Sequence, residues 1–258
     1  MNFPINSEKY ASVPIFSPLD FLKYMQKEKV DSSLPLPDAV VLCYQGSVLA
    51  HARSRYKMLK PRILPGQLHL PECFDGELGI INIPGCGAPV SVIFLEQMIA
   101  AGIKKFISFG TAGSLQPDLD FGDIVLCDKA IRDEGTSWHY LPPDRYSYSA
   151  AGILQAIEME FAAKFLSFRK GTCWTTDAPF LETETEVRNY QKEGVLAVDM
   201  EAAALFAVAE YRKVEVGSFF VISDKLAEAH WVPCFFNEKV ISALDTALEI
   251  AFSILLNY

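Results

Sequence analysis

The stretch that decides the fold is VSVIFLEQMIAAGIKKFISFG, residues 90–110. Residues 90–101 carry apolar side chains at helical spacing, and residues 105–109 form a short apolar run that predicts a buried strand. A helix that passes within a few residues into a buried strand is the repeating unit of α/β proteins. This stretch therefore predicts one such unit.

The same alternation continues on both sides of residues 90–110. Strands are predicted at 39–44, 79–83, 122–127, 170–175, 195–198 and 214–222, and helices at 153–165, 182–193, 200–211 and 237–256. The segment between the first two strands is rich in Arg, Lys and Pro and is predicted to be irregular. The pattern predicts a three-layer α/β/α sandwich around a central mixed sheet, built as one domain over residues 1–258.

Composition narrows the classes of partner. The chain of 258 residues has 23 basic and 32 acidic side chains, a net charge of −9. Such a surface repels polyanions, so we expect neither nucleic acid nor an anionic membrane as a partner. Residues 1–10 lack the layout of a signal peptide, and the longest apolar stretch, 202–209, is too short to span a bilayer. A cytoplasmic protein is expected.

Neither a metal nor a cofactor is predicted. The six cysteines are scattered without a CxxC pair and are expected to be reduced and buried: Cys43, Cys73, Cys86, Cys127, Cys173 and Cys234. Gly85 and Gly87 resemble the start of a dinucleotide-binding loop, but Val90 stands where the third glycine belongs. A nicotinamide cofactor is therefore rejected.

A glycine-threonine segment, FISFGTAGS at 106–114, follows the strand of the opening stretch. Ligands of α/β sheets bind beyond the carboxyl ends of strands. Gly110 and Gly113 would let the backbone approach a ligand, and consecutive amides in a turn there would form an anion-binding nest around Thr111. The alternative is a plain tight turn with a capping threonine.

Two further strand ends carry carboxylates. In VLAVDMEAAA, residues 195–204, Asp199 suits the N-cap of the next helix, whereas Glu201 is expected to be buried and to need donors such as ribose hydroxyls. In FFVISDKL, residues 219–226, Asp224 either caps a turn or acts as a general acid in a partly dry pocket. His230 and Trp231 follow and are predicted, from position alone, to form a flap.

Five segments taken together resemble the nucleoside phosphorylase and nucleosidase superfamily, which includes purine nucleoside phosphorylase and uridine phosphorylase. They are FGTAGSLQPDLDFGDIV (109–125), IRDEGTSWHYLPP (131–143), TTDAPF (175–180), VDMEAAALF (198–206) and VISDKL (221–226). The resemblance covers roughly residues 76–226. It implies a pentosyltransferase that uses phosphate as co-substrate, with no other cofactor, and that releases free base and ribose 1-phosphate. A homo-oligomer is implied as well.

The resemblance also implies a role for each matching residue. Phosphate would be held at Gly46, Gly110 and Thr111; ribose by Met200 and Glu201 with Asp199 assisting; and the base by Phe180, with His139 close to the active region. Asp224 would donate a proton to N7 of a departing purine. Cleavage passes through an oxocarbenium-like sugar, which a carboxylate on its hydroxyls stabilises.

Departures from the family pattern leave alternatives open. Phosphorolytic members carry arginines where this chain has Ser108 and Ala50; Arg53, Arg55 and Arg62 could substitute or form a solvated basic face. Hydrolytic members use a glutamate in the first loop, and none lies beside Gly46. Water as nucleophile and a non-catalytic nucleoside-binding homologue are therefore the alternatives. The base is open too, because Asp224 favours purines whereas the 134–140 segment resembles uridine enzymes.

Overall fold

A computed structural model describes residues 6–26, 36–61, 68–228 and 230–258. In these residues seven α-helices and eleven strands form. The helices are α1 Pro18–Gln26, α2 Gly46–Arg55, α3 Ala88–Ala100, α4 Ala151–Ala163, α5 Glu184–Lys192, α6 Ala202–Arg212 and α7 Glu238–Asn257. The strands are β1 Ala39–Cys43, β2 Met58–Leu59, β3 Leu68–Pro71, β4 Leu78–Asn82, β5 Lys105–Ser114, β6 Ile124–Asp133, β7 Tyr146–Tyr148, β8 Phe168–Thr176, β9 Ala197–Asp199, β10 Glu215–Lys225 and β11 Val232–Pro233.

The strands form one mixed sheet, as predicted. The order is β11-β10-β6-β8-β9-β5-β1-β4-β3-β2, with β7 on β6. In addition β10 pairs with β5 in parallel, so β5, β10, β6, β8 and β9 close into a ring of strands that the sequence did not predict. Parallel β1, β5 and β10 bring their carboxyl ends to one edge of the sheet.

Helices cover both faces of the sheet, which confirms the three layers. One core lies against α1, α3 and α6, and the other against α2, α4 and α7. In length and apolar composition α7 would also suit a membrane-spanning helix. Its Val240, Leu244, Ala247 and Leu248 are buried in the second core, and this packing accounts for its apolar stripe.

Several local predictions are corrected by the structure. The segment predicted to be irregular contains α2, whose Val48, Leu49 and Ala52 are buried. Helix α5 begins at Glu184 and not at residue 182, because Thr183 forms a capping box with Glu186. Cysteine burial was over-predicted: Cys73 and Cys86 are exposed and Cys234 is partly exposed.

Candidate active site

A cavity of about 620 Å³ opens where strands β5, β9 and β10 end. Thr111 comes from β5, Glu201 follows β9, and Asp224 comes from the end of β10. In the parallel register of β5 and β10, Thr111 lies beside Val221, and Asp224 lies beside Gly113. Strand pairing thus brings together side chains that are more than a hundred residues apart in the chain.

The glycine-threonine segment is strand and not turn, so the predicted amide nest does not form. Residues 110–114 continue β5, and neither Gly110 nor Gly113 has a positive φ. Glycine is needed there because other groups approach closely. A Cβ on Gly113 would lie 2.5 Å from Leu226 Cδ1 and 3.0 Å from Asp224 Oδ2, and a Cβ on Gly110 would lie 2.9 Å from Tyr44 Cδ2.

Asp199 is buried and accepts from backbone N–H groups at the start of α6, whose N-cap residue is Glu201. Its Oδ1 accepts from the Thr175 hydroxyl at 2.6 Å, and its Oδ2 accepts from the backbone N–H groups of Glu201 and Ala202 at 2.8 and 2.6 Å. Burial raises the pKa of this carboxyl, and these donors counteract the rise. Since both oxygens already have protein donors, Asp199 positions the start of α6.

Asp199→Ala is expected to destabilise the protein by about 2 kcal/mol, because it leaves two buried N–H donors at the start of α6 unpaired. Urea unfolding measures the loss. Asn237→Ala is the matched control, because Asn237 caps α7 at an exposed end. It is expected to cost less than Asp199→Ala does. Equal losses in the two variants would contradict the structural role of Asp199.

Glu201 is only 6% exposed and faces the cavity. The backbone N–H of Gly87 donates to its Oε1 at 2.6 Å. Gly87 has a φ of 108°, which only glycine adopts readily. The segment with Gly85 and Gly87, which resembled the start of a dinucleotide-binding loop, therefore supplies a backbone donor to Glu201. Burial first, and Asp199 second, raise the pKa of Glu201 well above the usual carboxyl range.

Asp224 is 8% exposed and is held by two donors. The Ser223 hydroxyl donates to Oδ1 at 2.7 Å, and the Trp231 indole N–H donates to Oδ2 at 3.0 Å. Burial raises the pKa of Asp224, against the effect of these two hydrogen bonds. A carboxyl with a raised pKa at a cavity wall suits a general acid.

The end of the cavity near Thr111 is polar but uncharged. The Gln45 amide donates from Nε2 to Thr111 Oγ1 at 3.1 Å, whereas Gln45 Oε1 is buried and has no partner among the described residues. Ser108 stands where the family pattern has an arginine, and its hydroxyl shares a hydrogen bond of 2.9 Å with the hydroxyl of Tyr44. Within the described residues the cavity lining has no Arg, Lys or His, and no cluster there is arranged to bind a metal.

Most of the predicted site residues meet in this cavity. Those that line it are Thr111, Phe180, Asp199, Met200, Glu201 and Asp224. Phe180 is fully exposed at the rim of the cavity. Gly46 does not line the cavity, but it begins α2 directly after Gln45, and Gly110 precedes Thr111 on β5.

His139 and the nearby arginines lie elsewhere. His139 Nδ1 is 2.7 Å from Lys9 Nζ, on a separate apolar cleft of about 700 Å³. Arg53 contacts His69, and Arg55 pairs with Glu249, so neither reaches the site. Ala50 is an exposed residue of α2, and Arg62 lies outside the described residues.

The segment that resembled uridine enzymes has a local structural role. Glu134 accepts hydrogen bonds from the backbone N–H groups of Thr136 and Ser137, and the buried Arg132 donates to Ser137 Oγ and to the carbonyl of Pro142. These contacts hold the turn that carries His139 away from the cavity. The residues of this segment therefore give no reason to place a pyrimidine in the site.

The sequence analysis missed several residues of the lining: Tyr44, Gln45, Cys86, Glu182 and Phe235. Tyr44 and Gln45 directly follow β1, whose carboxyl end lies at the same edge as that of β5. The rule that ligands bind at carboxyl ends of strands was therefore signal enough for these two. Glu182 carried no comparable signal, because it follows a short 3₁₀ helix, Pro179–Leu181.

Comparison with known proteins gives a consistent family. The family model described as the phosphorylase superfamily matches residues 74–258. Guanosine phosphorylase of Halorubrum lacusprofundi is 28% identical, over 71% of this chain and 76% of the relative. A DeoD-type purine nucleoside phosphorylase of Caldanaerobacter subterraneus is 30% identical, over 69% of this chain and 78% of the relative. In fold, the chain is similar to uridine phosphorylase of Vibrio fischeri, with a TM-score of 0.72 and 20% identity, covering 91% of this chain and 100% of that one.

Proposed function

The chain belongs to the phosphorylase superfamily, and from that premise we propose that it cleaves the N-glycosidic bond of a purine nucleoside. The observation that carries this proposal is that Thr111, Glu201 and Asp224 line one cavity. Its volume of about 620 Å³ lies within the range of small-molecule sites, roughly 300–1,000 Å³. The sugar would lie on Glu201 and the base between Phe180 and Asp224.

Asp224 activates the leaving group in this proposal. It gives a proton to N7 of the purine while the bond from C1′ to N9 breaks and its electrons pass to the base. Ser223 and Trp231 hold the carboxyl in place as it loses the proton. Only a purine has an N7 to protonate, so the placement of Asp224 in the cavity supports a purine over uridine.

Glu201 assists at the sugar. Its carboxylate accepts hydrogen bonds from the 2′- and 3′-hydroxyls, which become more electron-rich and stabilise positive charge on the ring as the glycosidic bond breaks. The N–H of Gly87 and the contact of Asp199 with the Glu201 backbone fix this carboxylate, so little reorganisation is needed. Burial of Glu201 keeps water away from these hydrogen bonds.

We propose phosphate as the nucleophile, with ribose 1-phosphate as the second product. The two sequence relatives named as phosphorylases support it. Phosphate is already anionic and needs no base, and the Gln45 amide beside Thr111 cannot take a proton. Thr111 Oγ1 accepts from Gln45, so its own proton is free to bind a phosphate oxygen. We also propose that the protein is a cytoplasmic homo-oligomer. Because the described lining has no basic side chain, a second copy would supply the positively charged side chain that balances the charge of phosphate.

Water is the second candidate nucleophile, favoured by the charge of the site. The described lining has four carboxyl groups and no basic side chain: Glu182, Asp199, Glu201 and Asp224. Such a lining opposes the entry of an anion. The unpartnered Gln45 Oε1 would accept a hydrogen bond from water, while the Thr111 hydroxyl donates one. The product would then be free ribose.

A panel of guanosine, inosine, adenosine and uridine, each with and without phosphate, tests the proposal through release of the base. Release of purines that requires phosphate and yields ribose 1-phosphate is the expected result. Phosphate-independent release identifies a nucleosidase. Nucleoside binding without any release would refute an enzymatic function and support a binding protein.

Gln45→Glu separates the two nucleophiles. An added carboxylate near bound phosphate costs at least about 1 kcal/mol at 4 Å even in water, so phosphorolysis is expected to fall about tenfold. The same carboxylate can take a proton from water, so hydrolysis is expected to rise. Gln97→Glu, on α3 away from the cavity, is the control. Unchanged phosphorolysis in Gln45→Glu would argue against phosphate at Thr111.

A further inference from the structure

The proposed reaction leaves one carboxyl group of the cavity without a task. Glu182 is half-buried and follows the 3₁₀ helix that carries Phe180, so it lies at the base end of the cavity. Among the described residues its carboxyl has no hydrogen-bond partner and no counter-ion. A carboxyl in that position is available to a ligand.

The charged groups that act on Glu182 come from two elements. Asp224 belongs to β10, and Glu186 lies in the first turn of α5. Burial first, and these two carboxyls next, raise the pKa of Glu182 to about 7. Glu186 is already engaged by Thr183 in the capping box and does not line the cavity, whereas Glu182 and Asp224 do.

Purine geometry relates these two carboxyls to two neighbouring atoms of the base. N7 and the substituent on C6 lie side by side on one edge of the ring system. A base that presents N7 to Asp224 therefore presents its C6 substituent to a group beside Asp224. A 6-amino group donates hydrogen bonds, whereas a 6-oxo group accepts them.

We infer that Glu182 is a specificity-determining residue that binds the C6 substituent of the purine. This inference rests on the proposed function of the same cavity. Ionised Glu182 accepts a hydrogen bond from a 6-amino group, as in adenosine. Protonated Glu182 donates one to a 6-oxo group, as in inosine or guanosine. The two forms exchange near neutral pH, so the preferred substrate changes with pH.

The experiment measures kcat/KM for adenosine and for inosine between about pH 6 and about pH 8. The ratio of kcat/KM for adenosine to kcat/KM for inosine is expected to rise about tenfold across this range, because ionised Glu182 favours the 6-amino group and protonated Glu182 favours the 6-oxo group. Titration of Asp224, of Glu201 or of the nucleophile changes kcat/KM for both nucleosides by the same factor. These effects therefore cancel in the ratio. A flat ratio in the native protein overturns the inference.

Two variants complete the test. Glu182→Gln carries both a donor and an acceptor at every pH, so its ratio is expected to be constant while both nucleosides are still cleaved. Glu184→Gln is the control, because Glu184 is exposed and pairs with Arg188 on α5; it should keep the pH dependence of the native protein. A pH-dependent ratio in Glu182→Gln overturns the inference.

Binding of free adenine and hypoxanthine, measured by calorimetry over the same pH range, separates this inference from the proposed reaction. If neither nucleoside is cleaved but the ratio of the two binding constants still depends on pH and on Glu182, the proposed reaction fails and the inference stands. If neither base binds, or if the ratio of binding constants is flat, the inference fails.

Discussion

Asp224→Asn is expected to lower kcat/KM for purine nucleosides by about 10²–10⁴-fold, the usual contribution of a general acid. The amide matches the carboxyl in shape: its oxygen can accept from the Trp231 indole N–H while its NH2 group donates to the Ser223 hydroxyl oxygen, so the fold should persist. It has no acidic proton to give to N7. The loss should therefore appear in kcat, and not as a change in the unfolding midpoint.

A substrate with a better leaving group distinguishes loss of the acidic proton of Asp224 from general damage to the site. A p-nitrophenyl riboside needs no proton on its leaving group, so Asp224→Asn should cleave it nearly as well as the native protein does. Asp118→Asn is the control, because Asp118 is 70% exposed on its side chain and pairs with Arg169 at the surface. Native activity of Asp224→Asn on inosine would remove the assignment of Asp224 as the acid.

The fold could be predicted from the sequence because its signals are local. The α3–β5 unit and the stripe of α7 carry their periodicity in the sequence, and the structure differs there mainly at the ends of elements. Helix α2 was missed because only a few apolar residues face the sheet, among many polar and basic ones. Closure of β5 on β10 depends on pairing between residues a hundred positions apart, which no local pattern reports.

Three of the four carboxyl groups that line the candidate site were predicted from the sequence, whereas Glu182 and the residues around Thr111 were not. Glu201 and Asp224 stand at strand ends, where motif and position agree. Asp199 was interpreted as the N-cap of the helix; Glu201 takes that position, and Asp199 instead accepts from the backbone N–H groups at the start of α6. His139 was expected near the site because of its segment, but Arg132 and Glu134 hold that segment in a turn of its own.

The carboxyl groups of the cavity differ in their neighbours, and this gives them different tasks. Asp199 has its oxygens filled by protein donors, Glu201 has a backbone donor, and Asp224 has a hydroxyl and an indole. Burial raises the pKa of all three; donors on both oxygens of Asp199 oppose the rise, whereas Glu201, with one backbone donor and Asp199 nearby, has a pKa well above the usual carboxyl range. The sequence identified these three acids as candidates, and their contacts in the structure distinguish them.

Glu201→Gln is expected to lower kcat/KM by about 10²–10³-fold. Charge-assisted hydrogen bonds to the two ribose hydroxyls contribute about 1.5–3 kcal/mol each, and an amide retains only part of this free energy. The N–H of Gly87 can still donate to the amide oxygen, so the start of α6 should be preserved. Initial rates with inosine measure the loss. Glu210→Gln, at an exposed position of the same helix, is the control and should keep native activity.

Removing the hydroxyls from the substrate tests the same contact from the other side. The native protein should lose about tenfold or more in kcat/KM on 2′-deoxyinosine or 3′-deoxyinosine, because each lacks one hydrogen bond to the carboxylate. In Glu201→Gln, removal of either hydroxyl should lower kcat/KM much less, because the carboxylate that binds the hydroxyls is already gone. The difference between the two losses measures the interaction between Glu201 and that hydroxyl. Burial and Asp199 raise the pKa of Glu201, whereas hydrogen bonds from the ribose favour its ionised form. The discrimination against deoxyribose should therefore weaken as pH falls and Glu201 becomes protonated. If Glu201→Gln discriminates against deoxyribose as strongly as the native protein does, the ribose lies elsewhere in the cavity.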